Sequence, residues 1–241
     1  MTTCDPEGGP GPPALRAHAS LTPQARSARR LGLFGGSFDP VHQGHLDVAQ
    51  AACRAFDLDH VVFVPAALSP HKTGLPPAPG EGRVELLRRA LARKELASWA
   101  SLWTVELLRQ PPSFTVLTLD DLAQERPRAS EPWLILGEDN LPGLPTWRQV
   151  GDLLARARPI VVQRQRGTVL AEAVDSIAAD LEPEAVARLL RGLVPLEEPS
   201  PHSSTRVRTA LERGEDPGVA LPPGIWQAIG ELGLYGRTGG R

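Results

Sequence analysis

The chain has 241 residues, with 26 lysines and arginines against 28 aspartates and glutamates, and its formal net charge is −2. This length can bury a full hydrophobic core and indicates one large domain or two small ones. A nearly neutral chain generates no overall field that would hold nucleic acid or an anionic membrane surface. No apolar segment approaches the roughly 20 residues that span a bilayer. Any phosphate binding is therefore expected at a local site.

The first 29 residues differ in composition from the rest of the chain, because they are rich in proline and poor in large apolar side chains. We predict a disordered extension over residues 1–29, or a start codon placed too early; the segment lacks the apolar centre of a secretory signal. Residues 30–241 are predicted to form one domain, helical from about residue 203 onward. Cys4 and Cys53 lack metal-type spacing, which predicts free thiols in a reducing cytoplasm.

Continuous apolar segments alternate with segments of helical periodicity along the rest of the chain. Strands are predicted, in chain order, at residues 30–34, 60–65, 102–107, 133–136 and 160–163. Helices are predicted at residues 45–56, 83–96, 113–122 with Ser113 as the capping residue, 146–154, 182–193, 204–213 and 224–234. This alternation predicts an α/β fold, namely a doubly wound, Rossmann-like, mainly parallel sheet with helices on both faces.

Ligands of such sheets bind beyond the carboxyl ends of the strands, near the point where the strand order switches. Four segments of this chain follow predicted strands or precede predicted helices. They are the loops at residues 35–44, 66–74 and 137–147, and the start of the helix at residue 204. We expect them to converge on one crevice.

Residues 35–45, with the sequence GGSFDPVHQGH, carry the strongest signal. Glycines permit a tight turn, and the start of the following helix supplies unpaired N–H groups and a positive dipole end, which favour an anion. His42 and His45 stand three residues apart across that junction and could face one anion. The segment matches neither a Walker loop nor a dinucleotide fingerprint. A metal pair of His42 and His45 with Asp39 is the alternative that the spacing leaves open.

The segment GGSFDPVHQGHL resembles the H-x-G-H signature of the nucleotidyltransferase superfamily, and its Phe-Asp-Pro-Val-His resembles bacterial nicotinate-nucleotide adenylyltransferases. Further segments resemble that family over residues 31–235. They are Ser-Pro-His-Lys at 69–72, Arg83, Ser-Phe-Thr with Thr-Leu at 113–119, Gly-Glu-Asp-Asn-Leu with the tryptophan at 137–147, Ser-Ser-Thr-Arg-Val-Arg at 203–208, and the endings at 221–222 and 234–235. The sequence departs from the family pattern at His202, Phe114 and residues 227–229. These departures bear on the part of the site that would bind the acceptor.

The resemblance implies an enzyme that transfers AMP from ATP to nicotinate mononucleotide, giving deamido-NAD and pyrophosphate in NAD biosynthesis. A phosphate monoester is already largely a dianion at neutral pH, so it needs no general base to act as a nucleophile. The site must instead bring two polyanions together and stabilise the charge on the transferring group.

The resemblance also implies roles for single residues. The implied catalytic residues are His45, as donor to the α-phosphate, His42 beside it, Lys72 as a mobile clamp, and Arg208. The implied ATP-binding residues are Gly35, Gly36, Ser37, Phe38, His42, His45, Gly137, Asp139, Ser204, Thr205 and Arg208. The implied mononucleotide-binding residues are Ser37, Lys72, Thr115, Trp147 and Arg148.

Some of these roles are specific. Backbone and side chain of Ser37 and Phe38 are expected to lie along the ATP or the mononucleotide phosphate. Asp139 is expected to bond the ATP ribose, and Gly137 to leave room for adenosine. Trp147 is expected to stack on the pyridine ring, whose carboxylate would meet backbone N–H groups near Thr115 and Arg148. Mg²⁺ is expected to enter with ATP, held by phosphates and water, with Asp39 reaching it through water and no protein-made metal cage.

Other functions remain open from the sequence. The acceptor could be nicotinamide mononucleotide, or phosphopantetheine as in a sister family. A non-catalytic nucleotide sensor would bind ATP without turnover. A nucleic-acid-binding module is the third class, against which the charge balance argues.

Overall fold

The computed structural model describes residues 13–68, 76–127, 131–164, 167–196 and 201–237. The strands are β1 (Leu31–Gly36), β2 (His60–Pro65), β3 (Ala100–Leu102), β4 (Trp133–Gly137), β5 (Arg158–Val162) and β6 (Leu193–Val194). The α-helices are α1 (Pro13–Arg16), α2 (Pro23–Ser27), α3 (Gln43–Phe56), α4 (Gly80–Leu91), α5 (Lys94–Ala97), α6 (Thr115–Glu125), α7 (Val150–Arg156), α8 (Leu170–Asp175), α9 (Pro183–Arg191), α10 (Ser204–Glu212) and α11 (Ile225–Glu231). Short 3-10 helices lie at Val105–Leu108, Glu138–Thr146, Ala178–Asp180 and Gly218–Ala220.

The six strands form one sheet in the order β3-β2-β1-β4-β5-β6, and each neighbouring pair is parallel. The chain winds outward in one direction from β1 to β3 and in the other from β4 to β6. The strand order therefore switches between β1 and β4, so the predicted doubly wound α/β fold is confirmed.

Apolar side chains fill both faces of the sheet. In β2, Val61 and Phe63 belong to one buried cluster and Val62 and Val64 to the other. This explains the continuous apolar sequence of the strand, because both faces of a parallel sheet are covered by helices. Residues of α1, α3, α4, α10 and α11 contribute to the first cluster, and residues of α2, α6, α7, α8 and α9 to the second.

The prediction that residues 1–29 are disordered is wrong for residues 13–29. Leu15 is buried in the first cluster, and Leu21 is buried in the second. The segment crosses between the faces beside the edge strand β3, where the Trp103 indole donates to the Ala19 carbonyl at 2.9 Å. Thr104 donates through its backbone N–H to His18 and through its hydroxyl to Leu15. A few buried side chains and these bonds suffice to order a segment that is otherwise polar.

Three predicted elements differ from those in the structure. The strand predicted at 102–107 is β3 followed by a 3-10 helix, the helix predicted at 83–96 is divided into α4 and α5, and the helix predicted at 146–154 begins only with α7. The short strand β6 was not predicted. In the described part of the chain no helix is long and apolar enough to cross a membrane.

Candidate active site

A cavity of about 150 Å³ opens where the strand order switches. The ladder between β1 and β4 covers two residue pairs, Gly32 with Trp133 and Leu33 with Leu134, whereas the ladder between β1 and β2 covers six. Beyond Leu33 the two strands separate, and their carboxyl ends line the cavity walls. The predicted site residues on its lining are Gly35, Gly36, Ser37, His45, Thr115, Gly137, Asp139, Trp147 and Arg148.

The turn that follows β1 is held by the side chain of Phe38. Its backbone has φ 45°, in the left-handed region that costs free energy for a residue with a side chain. The ring is 1% exposed and packs edge-on against Phe34, with the ring centroids 5.6 Å apart. The prediction that the Phe38 side chain lies along the nucleotide is therefore wrong, because the ring belongs to the core beneath the turn.

Helix α3 places the two histidines one behind the other. The His42 and His45 ring centroids are 3.7 Å apart, and the planes are inclined by 33°. His45 is half-buried and lines the cavity, whereas His42 has no exposed surface. In this structure the buried His42 ring packs behind His45 and supports it, and direct contact of His42 with ATP phosphates stays a prediction.

The hydrogen bond between these residues fixes the orientation of the His45 ring. The backbone N–H of His42 donates to Nδ1 of His45 at 3.2 Å. A neutral imidazole whose Nδ1 accepts a hydrogen bond carries its proton on Nε2. His45 can therefore offer an N–H donor at the start of a 14-residue helix, where the helix dipole also favours an anion.

Helix α10 begins against the same turn. Ser203 is its N-cap and accepts from the backbone N–H of Arg206, while Ser204 Oγ lies 3.4 Å from the Pro40 carbonyl oxygen. Arg208 Nη1 donates to the carbonyl oxygen of Asp39 at 2.7 Å. The structure thus brings Ser204 and Arg208 to the turn, with Thr205 exposed beside them.

Gly44 makes this approach possible. A side chain at that position would place its Cβ 3.1 Å from the backbone carbonyl oxygen of His202 and 3.1 Å from the His42 ring. Two helix starts, those of α3 and α10, can therefore lie close together, and their N–H groups and dipoles act on the same region.

The opposite wall of the cavity contains the start of α6. Phe114, at the N-cap position, makes no side-chain capping bond, and Thr115 and Val116 in the first turn line the cavity. Ser113 is not the cap that was predicted, because its hydroxyl accepts from the backbone N–H of Ala67 at 2.9 Å. The Arg148 guanidinium lies 4.9 Å from the centre of the Phe114 ring.

Glu106 lies behind this wall and was missed by the sequence analysis. It is buried and borders the cavity, and its Oε1 accepts from the Thr118 hydroxyl at 2.5 Å. Thr118 in turn accepts from Arg109 at 2.7 Å. Burial raises the pKa of Glu106, and the hydrogen bond from Thr118 opposes that change. The contacts hold the first turns of α6 in place.

Arg164 is a second site residue that the sequence analysis missed. Its Nη1 lies 3.0 Å and 3.1 Å from the two carboxylate oxygens of Asp139, and both residues border the cavity. A Cβ at Gly137 would lie 2.3 Å from Asp139 Oδ1 and 2.6 Å from Arg164 Cδ. The space that was predicted to admit adenosine is thus occupied by this ion pair. The position of Arg164 directly after β5, at the carboxyl edge, is the signal that could have found it.

Two further expectations concern the Lys72 clamp and a metal ion. Lys72 and the rest of residues 69–72 lie outside the described residues. Within the described ranges, no group of three or more His, Cys, Asp or Glu side chains is placed to hold a metal ion. The Asp39 carboxylate is buried and accepts from the Tyr235 hydroxyl at 2.6 Å, which leaves it poorly placed to reach a metal through water.

A crevice at the switch point of a parallel sheet is the usual ligand site of such folds, and comparison with known proteins gives the class as a nucleotidyltransferase. The cytidylyltransferase-like family model matches residues 33–210. A relative from Gloeobacter violaceus, named "probable nicotinate-nucleotide adenylyltransferase", is 39% identical over 86% of this chain and 96% of its own length. Relatives with the same name from Synechococcus sp. (strain JA-3-3Ab) and Halalkalibacterium halodurans are 34% and 35% identical, over 89% and 86% of this chain and 99% and 91% of their own lengths. The chain belongs to the nicotinate-nucleotide adenylyltransferase family.

Solved structures share the fold at lower identity. Nicotinic acid mononucleotide adenylyltransferase from Plasmodium falciparum, complexed with NaAD, superposes with a TM-score of 0.68 at 16% identity. The match covers 87% of this chain and 98% of that one. A likeness at this identity speaks for the architecture, and it agrees with the sheet order described above.

Proposed function

We propose that this chain transfers AMP from ATP to nicotinate mononucleotide, giving deamido-NAD and pyrophosphate, as a step of NAD biosynthesis. A phosphate oxygen of the mononucleotide attacks the α-phosphorus of ATP. The bond from that phosphorus to the oxygen bridging the β-phosphate breaks, and pyrophosphate leaves with the electron pair. The observation that carries the proposal is that one cavity joins the glycine turn and His45 to Trp147 and the start of α6.

The glycine turn and the starts of α3 and α10 would receive the ATP phosphates. Gly35 borders the cavity, and among the described residues no atom beyond its chain neighbours lies within 4 Å of where a Cβ would stand, so a ligand could approach the backbone there. His45 supplies a donor through Nε2, and Arg208 supplies a guanidinium from the next helix. Donors fixed in place before the reaction stabilise developing charge without having to reorganise.

The other end of the cavity would receive the pyridine nucleotide. Trp147 offers an aromatic face, and the first turn of α6 offers N–H groups that the N-cap residue Phe114 leaves uncapped. A carboxylate at a helix start needs no dedicated cation, although Arg148 lies at the rim. This chemistry favours nicotinate over the uncharged amide. At about 150 Å³ the cavity admits only part of the two substrates, so the phosphates would extend over the rim toward α10.

Asp139 is proposed to bind the ribose of ATP, with Arg164 as its present partner. Nearly half of the Asp139 side chain is exposed, so its carboxylate can exchange one partner for another. Lys72 is proposed to clamp phosphate from the loop after β2. We propose that Mg²⁺ enters with ATP and is held by phosphates and water, since the metal dehydrates reluctantly.

The test is pyrophosphate release by the purified protein with ATP and either nicotinate mononucleotide or nicotinamide mononucleotide. We expect turnover with both nucleotides and a preference for the acid form. A preference for the amide would overturn the assigned acceptor. ATP binding without turnover of either nucleotide would make the protein a sensor and would overturn the enzymatic proposal.

A further inference from the structure

The chain's single tyrosine lies beneath the glycine turn, far along the sequence from it. The Tyr235 hydroxyl donates to Oδ1 of Asp39 at 2.6 Å, and the backbone N–H of Ala78 donates to the same oxygen at 3.2 Å. Burial raises the pKa of Tyr235, and the bond to Asp39 raises it further, so the phenol remains a donor. The C-terminal segment is thereby fastened to the loop that precedes His42.

The Asp39 carboxylate stands close to Arg208 without pairing tightly with it. Arg208 Nη1 is 2.7 Å from the backbone carbonyl oxygen of Asp39 but 3.7 Å from carboxylate Oδ2. A tight arginine–carboxylate pair is usually bidentate and would occupy two N–H donors of the guanidinium. The observed arrangement occupies one donor on a neutral oxygen.

A second cation, Arg83, also interacts with the Asp39 carboxylate. Arg83 is 1% exposed and donates to the carbonyl oxygens of Ser37 at 2.6 Å, Ala66 at 2.9 Å and Ala78 at 2.8 Å. Burial lowers the pKa of Arg83, and attraction to the Asp39 carboxylate opposes that change. The carboxylate is therefore useful to the fold as an anion, and its orientation decides how much of its charge Arg208 experiences.

We propose that Tyr235 is a positioning residue, which holds the Asp39 carboxylate away from Arg208 and so keeps the guanidinium available to the ATP phosphates. The inference rests on the proposed function, since it assigns Arg208 to ATP. Without the hydroxyl, Oδ1 loses its shorter hydrogen bond. The carboxylate then turns toward Arg208 and pairs with it, in competition with the substrate.

The test compares Tyr235→Phe, Asp39→Asn and the double variant. We expect Tyr235→Phe to raise the KM for ATP and the Kd of ATP in calorimetry about tenfold, the loss of one charge-assisted hydrogen bond. The KM for the mononucleotide should stay unchanged. The double variant should bind ATP more tightly than Tyr235→Phe alone, because an amide cannot neutralise Arg208. A purely structural role for Tyr235 would lower the unfolding midpoint without this recovery, and additive losses in the two substitutions would overturn the proposal.

A second measurement needs no change at Asp39, so it remains possible if Asp39→Asn does not fold. Incorporated 3-fluorotyrosine gives one ¹⁹F resonance, since the chain has one tyrosine. We expect it to move when ATP is added and to stay when the mononucleotide is added alone. A resonance that does not move at saturating ATP would overturn the role of Tyr235. Wild-type protein that binds no ATP would overturn the proposed function itself.

Discussion

The sheet has a cavity at each end of its strands. The two cavities differ in whether helices begin or end beside them and in how their charged side chains are paired. At the amino edge a second cavity is bordered by aromatic rings, one carboxylate and three guanidinium groups. Its lining consists of Phe56, Glu131, Trp133, Arg158, Pro159, Arg188, Arg191 and Gly192. By arginine content alone, the amino edge would be the better candidate for an anion site.

The direction of the helices reverses that judgement. Helices α3 and α9 end at the amino edge, so carbonyl groups and the negative ends of helix dipoles face the cavity there. Its arginines are already engaged, Arg188 with Glu131 and the Ala157 carbonyl, Arg158 with Glu131, and Arg191 with Glu184. At the carboxyl edge the helices begin, and their N–H groups face the cavity. We infer that the polarity of the α/β repeat, more than arginine content, favours the carboxyl edge as the proposed phosphate site.

The largest expected effect comes from a pair of histidines at the two edges. His45→Ala should lower turnover about 100- to 1000-fold, the loss typical of removing one preorganised donor, with little change in unfolding midpoint. His60→Ala, at the start of β2, removes a buried ring whose Nε2 lies 2.8 Å from Ser101 Oγ. It should lower stability and leave turnover per folded molecule intact. Pyrophosphate release and thermal melts measure both, and near-normal turnover in His45→Ala would remove that residue from the mechanism.

Residues 13–29, which lie beside β3, give a second contrast because they line neither of these two cavities. Leu21 is 4% exposed, and Leu21→Ala should cost about 2–4 kcal/mol of unfolding free energy without changing the KM of either substrate. Leu190, on α9, is 41% exposed and serves as the matched control, for which we expect less than about 0.5 kcal/mol. Urea unfolding distinguishes them. Equal, small losses would show that residues 13–29 are not part of the folded domain.

Two tryptophans, one at each cavity, allow a comparison of stacking on a substrate with packing in the fold. Trp147→Leu should raise the KM for nicotinate mononucleotide about tenfold, through lost stacking on the pyridine ring. Trp133 packs on Phe56, with ring centroids 4.8 Å apart, so Trp133→Leu should lower the unfolding midpoint and leave that KM unchanged. Steady-state kinetics at saturating ATP measure the difference. An unaltered KM in Trp147→Leu would place the pyridine ring elsewhere.

Local sequence predicted those features that depend on local physics. The strand at 60–65 matches β2 because burial on both faces produces an uninterrupted apolar segment. The glycine turn and His45 were found because a strand, a flexible turn and a helix start follow one another directly.

Features that depend on distant partners were not predictable in this way. The segment after β3 reads as a longer strand, but the Thr104 backbone bonds to His18 instead of to a neighbouring strand, and a 3-10 helix follows. Glu106 and Arg164 are single charged residues whose roles arise from Thr118 and Asp139, each at least a dozen positions away. The burial of His42 likewise depends on tertiary packing that a motif does not describe.

The smallest expected effect tests whether the arginines of the amino edge are purely structural. Arg188 pairs with Glu131 and donates to Ala157, but about a fifth of each charged side chain remains exposed, so solvent screens the pair. Arg188→Gln should therefore cost about 1 kcal/mol, or a fall of about 2–4 °C in Tm for a chain of this size. Its kcat and both KM values should match the wild type. A rise in the KM for ATP without a fall in Tm would mean that the amino-edge cavity binds nucleotide, and that helix direction does not decide the site.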